Sequence, residues 1–218
     1  MKRNIVILIL FFIICFIYPQ TIEDKLLKEK EQKIVKYYYQ AKAQGREGKL
    51  TVLDSILKDI NDKNYTKDDT KLVELIAFLA QEGSTRQEYE NNRLINDYPD
   101  VRRNACIILA KIGGEQAREA LLEVLHKDQS FMVKAEACNS LAELKEDPTG
   151  QVLRTIVFVY RSTYKPDPNF VVAIINVIKT ISKGNEQVYG DAITILSEIQ
   201  MGQFTRTVRE EAYKAINF

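Results

Sequence analysis

An internal repeat constrains the fold of this chain more than any other feature. The segment from Pro99 to Gly113 recurs from Phe131 to Leu144, 32 residues further along. Six residues of the first copy meet an identical or similar residue in the second, namely Val101, Arg102, Ala105, Leu109, Ala110 and Ile112. A period of this length is typical of repeat architectures, in which each unit buries its apolar face against its neighbours.

Two weaker copies extend the repeat toward the C-terminal part, on Phe170 to Ile181 and on Val208 to Ile216, so that the units are 32, 37 and 38 residues long. Second helices are predicted between the copies at Glu115 to Lys127, Gly150 to Ser162 and Glu186 to Gln200. Each has apolar residues at positions i, i+4, i+7 and i+8, which is the period of an amphipathic helix.

Turn residues separate these helices. Gly113-Gly114, Asp147 to Gly150, Lys165 to Pro168 and Gly184-Asn185 fall between the apolar stripes, where a helix must end. Each unit is therefore predicted to be a helical hairpin. The predicted fold is all-α, an α-α superhelix of about four to five stacked hairpins that share one core.

The first helix of the repeat carries the pattern Pro-x-Val-Arg-x-x-Ala-x-x-x-Leu at Pro99, Val101, Arg102, Ala105 and Leu109. This pattern resembles the HEAT-like repeats of the phycobilisome-lyase type. The resemblance is strong over residues 97–145, weaker over 168–218 and faint before 97. It implies a HEAT-like repeat solenoid.

The same resemblance suggests a role for Arg102, Lys134 and Arg209, which share one repeat position. In such repeats this position typically forms ion pairs with carboxylates between units, so a structural pair is favoured over a phosphate-binding stripe. Asp100 and Glu136 are the partners expected from the sequence.

The N-terminal residues differ from the rest, because a basic start at Lys2 and Arg3 precedes an unbroken apolar run of fourteen residues from Ile5 to Tyr18. This is typical of an export signal. A helix of that length rises about 21 Å, which is short for a permanent membrane span. A cleaved signal, an uncleaved anchor and a lipid-modified Cys15 remain alternatives. The protein is expected to be an exported bacterial member of its family, either periplasmic or anchored in the inner membrane.

The chain is accordingly divided into residues 1–20 as signal peptide or membrane anchor, residues 21–48 as a charged helix and linker, and residues 49–218 as the repeat domain. Lys49 to Ile60 and Thr70 to Gln81 are predicted to be a degenerate helix pair that caps the array. In the charged helix, the adjacent tyrosines from Tyr37 to Tyr39 span most of a helical circumference, so at least one should face solvent.

Several kinds of chemistry are not indicated. The chain has 31 Lys and Arg against 30 Asp and Glu, and 29 against 30 without Lys2 and Arg3, so no nucleic-acid partner is expected.

Cys106 and Cys138 lie one repeat apart, too far for a disulfide, and are expected to be buried thiols. The lone His126 is predicted to be an ordinary surface residue. No catalytic residue, metal or cofactor is predicted.

The predicted function is binding of another protein in the cell envelope, through the groove lined by the second helices. The membrane is a partner only through the N-terminal segment, if that is uncleaved. The outward positions of the second helices are Arg118, Glu119, Glu123, His126, Arg154, Phe158, Arg161, Tyr189, Thr194 and Ser197. A structural spacer or assembly subunit is the alternative. The resemblance also extends to helical-repeat enzymes such as lyases and DNA glycosylases, and an enzyme is the least favoured of these functions.

Overall fold

The structure, a computed structural model, describes residues 24–183 and 185–216 and separates them into two units, with the boundary between Ala43 and Gln44. In the first unit, residues 24–43 form a helix, α1. Tyr37 is buried in it, whereas Tyr38 and Tyr39 are exposed, as the sequence led us to expect. The predicted export segment lies outside the described residues.

The second unit is built from helices joined by short connections. Its helices are α2 (Arg46–Asn61), α3 (Thr70–Gln81), α4 (Pro99–Ile112), α5 (Glu115–Lys127), α6 (Phe131–Leu144), α7 (Gln151–Ser162), α8 (Pro168–Ser182), α9 (Glu186–Met201) and α10 (Arg206–Ile216). The α3–α4 connection contains a small antiparallel hairpin of β1 (Tyr89–Glu90) and β2 (Arg93–Leu94). Since α2 begins at Arg46, the helical array starts three residues before the predicted boundary at Lys49.

The helices of this unit form two layers. In the first layer, α2, α4, α6, α8 and α10 each pack on the next, and in the second layer α3, α5, α7 and α9 do the same. Pairs such as α4 with α5 and α8 with α9 connect the layers. The predicted all-α solenoid of stacked helical hairpins is therefore confirmed.

Equivalent repeat positions supply the core between the layers. Val101, Val133, Phe170 and Val208 occupy one such position and are all buried. Leu109, Leu141 and Ile178 occupy a second and are also buried. The repeat pattern in the sequence is thus the pattern of side chains that fill the space between neighbouring units.

The two cysteines of the repeats are free and completely buried, which confirms the prediction of two unlinked thiols. Burial raises the pKa of both the Cys106 and the Cys138 thiols, because the thiolate loses its hydration. Neither thiol is therefore in the reactive form at neutral pH.

We expect Cys106 and Cys138 to resist alkylation by iodoacetamide in the native full-length protein and to react fully once it is denatured. Peptide mass spectrometry measures each site separately and excludes any signal from Cys15. Rapid labelling of either residue in the native state would contradict the helix register given above.

The predicted ion-pair position is correct for Arg102, but its predicted partners are wrong. Arg102 is 3% exposed, and its Nε and Nη1 lie 2.6 Å from Asp128 Oδ2 and 2.7 Å from Asp97 Oδ1. Asp100 pairs instead with Arg46, and Glu136 with Arg103. Residues two apart on a helix point to different faces, so the side chain of Asp100 cannot lie on the buried face of α4 that carries Arg102. The equivalent residues differ, since Lys134 is half-buried and Arg209 is exposed.

Candidate protein-binding groove

The second layer presents its outward face through α5, α7 and α9, which are consecutive neighbours. In α7, Val152, Ile156 and Val159 are buried against the first layer. Arg154 and Phe158 lie on the other side of the same helix and are exposed. The amphipathic period of α7 therefore fixes which of its side chains reach the surface.

A cleft of about 570 Å³ lies between α7 and α9. Its lining consists of Leu153, Arg154, Val157, Phe158, Arg161 and Ser162 from α7, and Asp191 and Thr194 from α9. Leu153 is buried and Val157 is half-buried, so the floor is apolar and the charged groups stand around it. This combination of an apolar floor and a few polar groups is usual in binding sites.

A smaller cleft of about 240 Å³ adjoins the first, between α5 and α7. It is lined in part by His126, and the imidazole stacks in parallel on the ring of Phe158, with 5.2 Å between the ring centroids. Arg154 and Phe158 line both clefts. Phe158 therefore forms a ridge between two adjoining depressions, and it remains 57% exposed there.

One residue of the larger cleft, Arg161, forms an ion pair between α7 and α9. Arg161 donates hydrogen bonds from Nε and Nη2 to the two carboxylate oxygens of Glu198, the first at 3.2 Å. This hydrogen bonding and the charge of Glu198 raise the pKa of the Arg161 guanidinium. The pair links α7 to α9 across the surface.

Gly150 lies beside the side chain of Arg154, which also lines the larger cleft. Gly150 precedes α7 with φ 71°, a left-handed conformation that side chains rarely adopt. A Cβ atom there would also lie 3.0 Å from Arg154 Nη1 and 3.2 Å from Val188 Cγ1. The absence of a side chain at this position leaves room for the guanidinium, whose Nη1 donates to the carbonyl oxygen of Thr149 at 2.9 Å.

The structure brings five of the ten predicted groove residues together around the two clefts: His126, Arg154, Phe158, Arg161 and Thr194. Glu119 and Tyr189 are exposed and Ser197 is half-buried, but none of these lines either cleft. Glu123 accepts hydrogen bonds from Lys127 and from Gln81 of α3, and the bond from Lys127 lowers its pKa. Glu123 therefore serves to hold α3 and α5 together.

The prediction that Arg118 faces the groove is wrong, because this residue is 5% exposed. Arg118 lies on the same face of α5 as the buried Leu122 and Leu125, four and seven residues further on. Helix α5 packs against α3 and α7 as well as against the first layer, so a wide part of its circumference is buried. A residue next to its apolar stripe is therefore still covered by neighbouring helices. Arg118 Nη2 donates to Glu115 Oε1 at 3.3 Å.

Asp191 is the main residue of the groove that the sequence did not suggest. It precedes Thr194 by three residues on α9, so the two share a helical face. That spacing was the available signal. Its place opposite α7 depends on packing between units 37 residues apart, which a single helix does not reveal.

Two other features are absent from residues 24–183 and 185–216. No helix in this part of the chain combines the length and the apolar character that a bilayer-spanning helix requires. Nor do three His, Cys, Asp or Glu side chains lie close enough together there to hold a metal ion.

The fold and the groove define a class of protein, the α-solenoids that are built from stacked helical hairpins. Residues 92–157, which run from β2 to the first half of α7, match the family of HEAT repeats. This part of the chain therefore consists of HEAT-like repeats, as its repeat pattern predicted. No curated protein and no solved structure matches it.

Proposed function

We propose that this protein is a scaffold that binds another protein in the groove formed by α5, α7 and α9. The observation that carries the proposal is the position of Phe158, an aromatic side chain that is largely exposed on the ridge between two adjoining clefts. Exposed aromatic and arginine side chains are enriched among the residues that dominate protein interfaces. HEAT repeats commonly mediate interactions between proteins.

The groove is assigned a binding role and no catalytic one. Its histidine is stacked on Phe158, and its Arg161 is engaged by Glu198. These contacts stabilise the shape of the surface, as the binding of another protein requires.

We expect a photo-crosslinking residue in place of Phe158 to form adducts with another protein in living cells, because this position lies on the proposed interface. Tyr213 on α10 is the matched control, since it is also aromatic and also 57% exposed but belongs to the first layer. Immunoblots of irradiated cells should show adducts at position 158 and none at 213. Adducts at 213 alone, or at neither position, would contradict the proposal and favour a structural spacer.

We further propose that the protein acts in the bacterial envelope. The support is the basic start followed by the apolar run from Ile5 to Tyr18. Fusion of alkaline phosphatase after Phe218 should give active enzyme, because that enzyme needs an oxidising compartment to form its disulfides. A fusion that is inactive in ordinary cells but active in a control strain with an oxidising cytoplasm would contradict export.

A further inference from the structure

Two opposite charges lie on the two sides of the larger cleft without neutralising each other. Arg154 belongs to α7 and Asp191 to α9, and both line the cleft. Arg154 donates to the carbonyl of Thr149, but it forms no ion pair with a described residue. Asp191 forms neither a hydrogen bond nor an ion pair with any residue in the described part of the chain, although its negative charge contributes to the raised pKa of Arg161.

The other end of the same cleft shows what a closed pair looks like. Arg161 follows Arg154 by seven residues, and Glu198 follows Asp191 by seven. Residues seven apart lie on one face of a helix, about 10.5 Å apart along its axis. The cations of α7 and the carboxylates of α9 therefore form two facing rows, in which Arg161 and Glu198 are paired and Arg154 and Asp191 remain separated.

An apolar surface lies between the two separated charges. Leu153 and Val157 form the floor of the cleft, and the ring of Phe158 stands at its edge. The cleft thus offers a cation on one side, an apolar site in the middle and a carboxylate on the other side. A segment that fills it must supply the complementary groups in the reverse order of charge.

We propose, on the basis of the binding role given above, that the groove recognises a protein segment in which an apolar side chain lies between an acidic and a basic residue. The acidic residue of the partner pairs with Arg154, and the apolar side chain packs on Leu153 and Val157 against Phe158. The basic residue pairs with Asp191. A purely acidic segment or a polyanion is disfavoured, because Asp191 repels it.

The test selects peptides from a random phage-displayed library on the full-length protein in mild detergent. We expect the enriched peptides to share an acidic residue, an apolar residue and a basic residue at fixed spacing. Labelled peptides are then measured by fluorescence anisotropy. Arg154→Glu should weaken their binding at least about tenfold, because a favourable charge pair becomes a repulsive one.

Charge exchange makes the test specific. A peptide in which the acidic residue is replaced by lysine should bind Arg154→Glu and not the wild type, and Asp191→Lys should reverse the preference at the basic position. Glu119→Lys on α5 is the control, since Glu119 is exposed but lines neither cleft, and it should change binding less than about twofold. Circular dichroism verifies that each variant is folded.

The outcomes separate this inference from the proposed function. Peptides whose binding is lost with Phe158→Glu but is unaffected by Arg154→Glu would overturn the inference and leave the groove as a binding site. Peptides that ignore both variants, or no enrichment at all, would contradict the inference and the proposed function together. Self-association that Arg154→Glu abolishes would make a second copy the occupant and would also overturn the inference.

Discussion

Leu109→Ala is expected to lower the free energy of unfolding by about 2–5 kcal/mol. Leu109 is 0% exposed on α4, a first-layer helix that contacts α2, α3, α5 and α6. The substitution removes a buried isobutyl group and leaves a cavity among helices that are fixed on several sides, so the site cannot collapse. Urea denaturation of the full-length protein, followed by circular dichroism, measures the loss.

Glu119→Ala on the partner helix α5 is the control for this substitution. Glu119 is exposed and forms no hydrogen bond or ion pair with a described residue, so the change should be less than about 0.5 kcal/mol. Arg118, which the sequence analysis placed among the outward positions, is buried and would not be a neutral control. If the two alanine variants were equally stable, the assignment of α4 and α5 to one hairpin would be wrong. The proposed groove, which includes α5, would then be wrong as well.

Much of the fold could be predicted because the repeat encodes it more than once. The predicted helix from Thr70 to Gln81 has the bounds of α3, and the copy that begins at Pro99 is α4. The apolar stripe of each helix reports the side that it buries, and turn residues mark its ends. Similarity between copies then shows that the hairpins stack in the same way.

The hairpin of β1 and β2 was not predicted, because strands of two largely exposed residues carry no alternation of apolar and polar side chains. A signal for it was present in Asn91 and Asn92, which connect the strands. Both adopt positive φ, at 50° and 61°, as residues of tight β-hairpin turns do.

The candidate site was predictable only where it depends on one helix. Arg154, Phe158 and Arg161 follow from the period of α7, and the structure places all three around the larger cleft. The burial of Arg118 and the contribution of Asp191 depend on how neighbouring helices pack against α5 and α7. This packing is determined by side chains of adjacent repeats, so it cannot be predicted from the sequence of one helix.

Arg102→Met is expected to lower the free energy of unfolding by about 3–5 kcal/mol. The methionine side chain replaces the aliphatic part of the arginine side chain, so the packing of that part is kept while the guanidinium group and its positive charge are lost. Asp128, which is completely buried, would keep its hydrogen bond from the Ser130 amide at 2.8 Å but would lose its cation. Burial disfavours the charged guanidinium, but hydrogen bonds to Asp128 and Asp97 outweigh it and raise the pKa of Arg102.

Arg103→Met is the matched control, since Arg103 is the next residue on α4 and also forms an ion pair. Its Nε lies 2.8 Å from Glu136 Oε2, but its side chain is 47% exposed, so water replaces the lost interaction. The expected loss is less than about 1 kcal/mol. Thermal and urea unfolding of both variants compare a buried and an exposed link between neighbouring repeats.

A double variant shows whether Arg102 acts through Asp128. Asp128→Asn keeps an acceptor for the Ser130 amide and removes the buried charge, so the combination with Arg102→Met should be less damaging than the sum of the two single changes. The coupling expected for residues in direct contact is about 1–3 kcal/mol. If the single losses simply add, the buried pair does not hold α4 to the α5–α6 connection. The contribution of Arg102 to the stability of the protein would then have to come from its hydrogen bonds to Asp97 and to the carbonyl of Glu82, which accept from its Nη1 at 2.7 and 3.0 Å.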